Sequence, residues 1–319
     1  MEIIEYDQKY EEEIIALWNR TCIYDPVTVE RFRNMILLDE NFDPSFCLIA
    51  MEKKKVIGFL SAMKRKYPYG ERGLEEDKGW IQVIFVDKTV QRQGVGGKLL
   101  ANTEKKLREA GAVTIVLGAY SPSYFFYGLD PDHYAASVSF FRKYGYVSTE
   151  SHYSMGMDLK DYRMPEAIMI KKKKAEEKGY RFIPFDYSYC VSLPIFMKEN
   201  FGGGWRRHVM DAMRRGNAED VLVLVLNPKG EIIGCANRAI DGNPARFGPI
   251  GIAAGYRDQS LGSILLSTAL EEMHKKNIPE MFFMTTDEDG MRYYLRNGLH
   301  VLRSFISYHK DFEKNSTVE

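Results

Sequence analysis

The chain has 319 residues, 45% hydrophobic and 28% charged, and its 44 basic side chains balance 44 acidic ones. That length exceeds one ordinary hydrophobic core and predicts two domains of a globular protein. A formal net charge of zero argues against a dedicated binder of nucleic acid or anionic membrane, and neither is expected as a partner. The N-terminal stretch MEIIEYDQKYEEEII is acidic and lacks the apolar centre of a leader, and the longest strongly apolar run, Val221 to Leu226, is far too short to span a bilayer. Cys22, Cys47, Cys190 and Cys235 are scattered, with no Cys-x-x-Cys and no histidines at ligand spacing. They read as free thiols in a cytoplasmic protein with no metal site.

Glu2 to Tyr6 reads as a strand, and Asp7 caps a helix running to about Asn19. Thr28 to Leu38 reads as a second helix with Phe32, Met35 and Ile36 on its apolar face. Phe46–Met51 and Val56–Met63 flank the turn Glu52-Lys53-Lys54-Lys55 as a hairpin, and Tyr67–Gly79 is a polar loop. The apolar strand Trp80–Val86 follows. Gln91-Arg92-Gln93-Gly94-Val95-Gly96-Gly97-Lys98 then opens an amphipathic helix in which Leu99, Leu100, Leu107 and Ala110 keep a 3.6-residue period, stopped by Gly111. Thr114–Leu117 is a β-branched strand, Ala135–Tyr144 a helix broken by Gly145, and Tyr146 with Ser151–Leu159 closing strands.

Strand, glycine turn and helix together present free backbone N–H groups to an anion. Two familiar phosphate loops do not fit. A Walker loop needs Ser or Thr after its Lys, and Lys98 is followed by Leu99. The dinucleotide fingerprint needs a Gly-x-G-x-x-Gly spacing that Gly94, Gly96 and Gly97 do not keep. Gln91, Gly94 and Gly96 instead match the Gln/Arg-x-x-Gly-x-Gly/Ala pyrophosphate loop of the GNAT superfamily of acyl-CoA N-acyltransferases, with Val86 as its strand-end valine. Ser139-Phe140-Phe141-Arg142-Lys143-Tyr144-Gly145-Tyr146 resembles the family's second signature, an aromatic pair, charged residues and Gly-aromatic.

The second half repeats the plan. Pro165 to Lys178 is a lysine-rich helix read as a connector. Tyr180–Phe185 is a strand, the tight turn Gly202-Gly203-Gly204 precedes a helix over Arg206–Arg214, and Trp205 reads as a core anchor. Val221–Leu226 and Glu231–Ala239 form a hairpin, and Phe247–Ala253 is a fourth strand. Gly255 to Gly262 leads into a helix bearing Leu261, Ile264, Leu265, Ala269 and Met273. Met281–Met284 is a strand, Arg292 to Leu299 echoes Phe140 to Tyr146, and Phe305–His309 closes the sheet. Arg257 superposes on Gln91, Ile252 on Val86, Ser260 on Gly94 and Gly262 on Gly96. The resemblance therefore implies α/β tandem GNAT folds, each a mixed central sheet flanked by helices. The expected division is a first domain over 1–162, a connector over 163–179 and a divergent second domain over 180–319.

By that resemblance the chain is an acetyl-CoA-dependent N-acetyltransferase, with a non-catalytic acyl-CoA-binding or sensor protein as the alternative. The cofactor, acetyl-CoA, is assigned to Phe85 and Val86 at the strand end and to Gln91 through Lys98. A tyrosine four residues before the Gly-aromatic pair serves many members as the acid. The first half has Phe141 there and the second has Tyr294, while Ser260 and Asp258 weaken the second loop. Tyr124 and Tyr127, in the extra segment 120–130, are candidate substitute acids, with packing as a lid as their rival role. Asp87 is the candidate base, with helix capping as its rival role; Gln82 cannot act as a base at neutral pH. His133 and His152 read as surface or packing residues and Glu104 as part of a solvated face. The expected acceptor is a small-molecule amine, with a protein lysine as alternative, and self-association stays open.

Overall fold

Apolar residues fill 46–51 and 80–86 almost without a break, as strands covered on both faces require. The computed structural model describes residues 1–313. The elements run β1 Glu2–Glu5, α1 Glu11–Thr21, α2 Val29–Phe32 with a π-helical continuation Arg33–Leu37, β2 Cys47–Glu52, β3 Lys55–Met63 and β4 Lys78–Val86. Then come α3 Val95–Glu109, β5 Thr114–Leu117, α4 Ala135–Lys143, β6 Val147–Asp158, α5 Glu166–Glu177, β7 Arg181–Pro184, α6 Ser192–Phe201 and α7 Gly203–Arg214. The chain continues through α8 Ala218–Val221, β8 Leu222–Leu226, β9 Ile232–Arg238, β10 Phe247–Ile252, α9 Leu261–Lys275, β11 Glu280–Phe283, α10 Glu288–Arg296 and β12 His300–Asp311.

Two units result. The first holds Met1–Tyr153 together with the chain from Arg303 onward, and the second holds Ser154–Leu302. In the first, β1, β2, β3 and β4 pair antiparallel in that order, β5 joins β4 in parallel, and residues 309–311 of β12 pair antiparallel with β5. Alternation along β2 sends Cys47, Ile49 and Met51 to one core with Trp18, Phe32, Phe59 and Phe85. It sends Leu48 and Ala50 to the other, with Leu99, Leu107, Ile115 and Tyr308. In the second unit, β7, β8, β9 and β10 pair antiparallel around Leu224, Cys235 and the buried face of α6. There β11 pairs antiparallel with residues 155–158 of β6.

Most elements lie where the sequence puts them, and four differences have physical causes. The closing strands are exchanged: the end of β6, expected to finish the first domain, belongs to the second unit, and most of β12 belongs to the first. The contiguous division into 1–162, 163–179 and 180–319 therefore does not describe the compact units. Helix α5, read as a connector, lies against α9 inside the second unit and buries Ala175. Gly203 and Gly204 form the first turn of α7 rather than a separate turn, after Gly202 at φ +91° ends α6. Helix α6 itself escaped the pattern because Pro194 interrupts it, in the first turn, where proline is tolerated. Cys22, Cys47 and Cys235 are buried and Cys190 exposed, all as free thiols. Among the described residues no helix is long and apolar enough to cross a membrane.

Candidate active site

In the first unit β4 and β5 pair only over Lys78–Ile81 and Thr114–Leu117, ending with the Gly118 N–H on the Ile81 carbonyl at 2.8 Å. Beyond that point β4 continues to Val86 without β5, so the sheet opens into a wedge. A bulge marks the opening: Ser61 faces Val83 but Ala62 faces Ile81, leaving Gln82 unpaired on the ladder. The buried Gln82 side chain accepts from Ser61 Oγ at 2.8 Å and donates to the Ser123 carbonyl at 3.0 Å, tying the 120–130 segment to the strand. A cavity of about 80 Å³ fills the wedge, lined by residues 81–84, Gly118, Phe126, Asp130, Tyr134 and Phe141.

Ladder alternation decides which amides face this space. The Asp87 N–H bonds the Ile57 carbonyl at 2.8 Å, so Phe85, two residues back, also turns its N–H to β3. The N–H groups of Ile84 and Val86 point the other way, into the wedge. Of the two strand-end residues assigned to the cofactor, Val86 thus offers a donor and Phe85 does not; the Phe85 side chain is instead packed on Trp18, with ring centroids 5.4 Å apart.

Just past the wedge, Gln91 Nε2 donates to the Val86 carbonyl at 3.0 Å and folds the loop back on the strand. Arg92 and Gly94 take positive φ, +63° and +86°. Gly94 is the N-cap of α3, and a Cβ there would meet nothing within 4 Å. Its glycine is needed for the left-handed backbone, and the space above it is open. The amides of Val95, Gly96 and Gly97 lie in the first turn, where helix geometry supplies no intrahelical acceptor. Gly97 serves another purpose: a Cβ there would stand 2.0 Å from the Tyr144 hydroxyl of the neighbouring chain after α4. Arg92, Gln93 and Lys98 are exposed, with Gln93 Nε2 on the Thr89 carbonyl at 3.3 Å and the Lys98 N–H on Gly94 O at 3.0 Å.

Asp87 caps the turn Lys88–Val90. It accepts from the Thr89 N–H at 3.0 Å, the Thr89 hydroxyl at 2.7 Å and Arg20 Nη2 at 3.1 Å. The two Thr89 bonds, with Arg20, hold its carboxyl below the usual carboxylate range, the wrong direction for a base. Tyr124 and Tyr127 pack on each other at 5.5 Å, and Tyr127 on His152 at 4.5 Å; neither lines the wedge. Of the aromatic residues in that segment Phe126 does, while Phe125 is buried against Trp18. Tyr294 lies in the second unit, its ring 4.5 Å from Phe283, and burial pushes its hydroxyl pKa up. Glu104 is no solvated residue: both its oxygens lie 3.0 Å from Lys310 Nζ.

The sequence reading missed a polar cluster at the wedge. Leu129 and Ile306 exchange backbone bonds of 2.9 and 2.8 Å, fixing Asp130, which is 2% exposed. Asp130 Oδ1 accepts from the N–H groups of Asp132 and His133 at 2.9 and 3.0 Å. Its Oδ2 lies 2.8 Å from His133 Nδ1 and 2.7 Å from Arg303 Nε. Arg303 also bonds Asp25, which accepts from the Tyr134 hydroxyl at 2.7 Å. Burial by itself would raise the Asp130 carboxyl, but the His133 amide, Arg303 and the His133 ring together hold it below the usual range. Burial first, and then the bond to Asp25, push Tyr134 up and keep it protonated. An Asp-x-x-His spacing at 130–133 was the one local signal available.

The second unit copies the loop's backbone. Asp258 and Ser260 take φ +63° and +62° where Arg92 and Gly94 do, and Arg257 Nε reaches the Ile252 carbonyl at 3.5 Å as Gln91 reaches Val86. A Cβ on Gly262 would meet Tyr293 at 3.3 Å, as one on Gly96 would meet Phe140 at 3.4 Å. Trp205, partly buried, stacks on Phe201 at 4.6 Å against Gly251 of β10, consistent with an anchor in that unit's core.

Residues 12–146 and 193–299 match the family described as acetyltransferase (GNAT) family. No curated protein matches the chain. Among solved structures, a GCN5-related glucosamine N-acetyltransferase region of a fungal multi-domain GH3 beta-N-acetylglucosaminidase aligns with TM-score 0.79 at 19% identity, over 97% of this chain and 38% of that one. The chain thus spans well under half of that fungal protein. A GCN5-related N-acetyltransferase from Sphaerobacter thermophilus aligns with TM-score 0.69 at 14% identity, over 97% and 95% of the two chains. A tandem GNAT protein from the clavulanic acid biosynthesis pathway aligns with TM-score 0.63 at 14% identity, over 97% and 98%. At these identities the likeness is one of fold.

Proposed function

Because the chain belongs to the acetyltransferase (GNAT) family, we propose that its first unit transfers an acetyl group from acetyl-CoA to a primary amine. One combination carries this reading: the helix α3 amides open to an anion above Gly94, and the Ile84 and Val86 amides turned into the wedge of the same unit. The residues fit the group. Val95, Gly96 and Gly97 would hold the pyrophosphate through their N–H groups, and a phosphate at a helix N-terminus is favoured by the macrodipole as well. Acetyl-CoA supplies an acyl group already activated as a thioester. An Ile84 or Val86 N–H aimed at its carbonyl oxygen would stabilise charge that develops there during attack.

A small-molecule amine is the proposed acceptor, since the cavity is small, about 80 Å³, and Phe126 and Tyr134 are among its lining residues; a protein lysine is the alternative. Calorimetric titration with acetyl-CoA, followed by a screen of glucosamine, spermidine and a lysine-containing peptide, tests the reading. Glucosamine comes first because the fungal region is described as acting on it. One acetyl-CoA per chain and turnover of an amine is the expected result. Binding without turnover of any amine would favour an acyl-CoA sensor, the reading supported by Phe141 at the usual acid position and by the fully bonded Asp87. Absence of binding would refute both.

A further inference from the structure

We propose that His133 is the base that removes the proton from the acceptor's ammonium group, and that Asp130, anchored by Arg303, is the residue that positions it. The assignment rests on the acetyltransferase reading of the first unit. An acetyltransferase acting on an amine must first free the nitrogen lone pair, because at neutral pH most alkylamines are protonated. Of the groups at the wedge, Asp87 is bonded through both oxygens, Gln82 is an amide, and Tyr134 donates its proton to Asp25. Cys22 also lines the cavity, but burial pushes its thiol up to about 11, so it stays protonated.

His133 has the arrangement those groups lack. Its Nδ1 lies 2.8 Å from Asp130 Oδ2, and an ionised carboxylate can only accept, so Nδ1 carries the hydrogen and, in the neutral ring, Nε2 keeps its lone pair. Asp130 is fixed from three directions: by the Leu129–Ile306 backbone pair, by the turn amides of residues 132 and 133, and by Arg303 Nε. The Tyr24 ring packs against the imidazole at 4.5 Å. Asp130, which holds the ring, and Tyr134, the next residue, both line the cavity; the His133 side chain itself is 34% exposed. In the step proposed, one N–H bond of the ammonium breaks and an Nε2–H bond forms. The amine nitrogen keeps the electron pair, and the imidazolium passes the proton to solvent through its exposed edge. No electrons are transferred and no further reactant is needed.

The test joins a spectroscopic and a kinetic readout. Nitrogen-15 NMR of the ligand-free protein should show neutral His133 as the Nδ1–H tautomer, and D130N should mix or reverse that tautomer, as loss of an orienting carboxylate does in serine proteases. With acetyl-CoA and whichever of glucosamine, spermidine or the lysine peptide the wild type acetylates, H133A should lose about 100-fold or more in kcat. Its acetyl-CoA affinity by calorimetry should not change, and free imidazole should restore part of the rate. An Nε2–H tautomer in the wild type overturns the assignment. So does a kcat for H133A within a few-fold of wild type while the wild type turns over normally, which leaves the acetyltransferase reading intact. A loss in H133A that imidazole does not restore, with weaker acetyl-CoA binding or a lower melting temperature, assigns His133 a structural part instead. Failure of the wild type to bind acetyl-CoA, or to acetylate any of the three amines, removes the acetyltransferase reading and this base together.

Discussion

Gly94 and Gly97 stand three residues apart in one loop, and alanine at each should fail in opposite ways. At Gly94 the backbone is left-handed, φ +86°, so alanine costs about 1–2 kcal/mol of stability. Its methyl would meet nothing within 4 Å, so no packing cost is added. At roughly 2–4 °C per kcal/mol for a domain of this size, melting should fall by only a few degrees. The same methyl occupies the space through which an anion reaches the α3 amides. Loss of one charge-assisted hydrogen bond, about 1.5–3 kcal/mol, weakens acetyl-CoA binding by about 10- to 150-fold. At Gly97 the methyl would sit 2.0 Å from the Tyr144 hydroxyl, so G97A should lose stability by about 1–3 kcal/mol through repacking, and Y144F should recover part of it. Paired thermal melts and calorimetric titrations at constant salt separate the two. Wild-type affinity in G94A would refute the placement of the pyrophosphate over this helix. A binding loss in G94A that scales with unfolding would refute the claim that the space is open.

Two further outcomes follow from other parts of the fold. Burial, reinforced by Arg207, Arg246 and Arg215 and opposed by Asp211, lowers the His208 pKa to about 4 in the second unit. The folded value lies below the unfolded one, so stability is complete above about pH 6.5 and lost as pH falls toward 4. Wild type should lose about 2 kcal/mol more than H208Q between pH 7.5 and pH 5 in urea melts, and parallel curves would show that the ring is not neutral in the native state. Stopping the chain after Leu302 removes Phe305 and Tyr308, 2% and 0% exposed, together with Arg303. At about 1.5–3 kcal/mol for each buried aromatic, roughly 3–6 kcal/mol of a domain's usual 5–15 kcal/mol is lost along with the strand itself, and the first unit should no longer bind acetyl-CoA. A rearranged chain in the order 1–153, 303–319, 154–302 should bind; a truncated chain that binds normally would contradict the exchanged strand.

The sequence by itself determined what short range controls. Alternating and 3.6-residue patterns placed nearly every strand and helix, because one buried face requires one period. The Gln91–Gly97 loop was legible because a left-handed residue ahead of a helix demands glycine or strain, and its copy at Arg257–Gly262 keeps the left-handed backbone even with Ser260 in the glycine's place. Asp87, in contrast, was readable as base or cap, and only its three hydrogen bonds decide for the cap. Tertiary structure alone decided which strand closes which sheet. Both β6 and β12 are twelve-residue strands of mixed apolar and polar residues, so nothing local separates the exchanged pairing from the direct one. The Asp130 cluster depends on the same choice. Arg303 lies 173 residues from Asp130 in the chain and reaches it through the placement of β12 in the first unit, and no spacing rule records a bond that exists only once the sheet has closed.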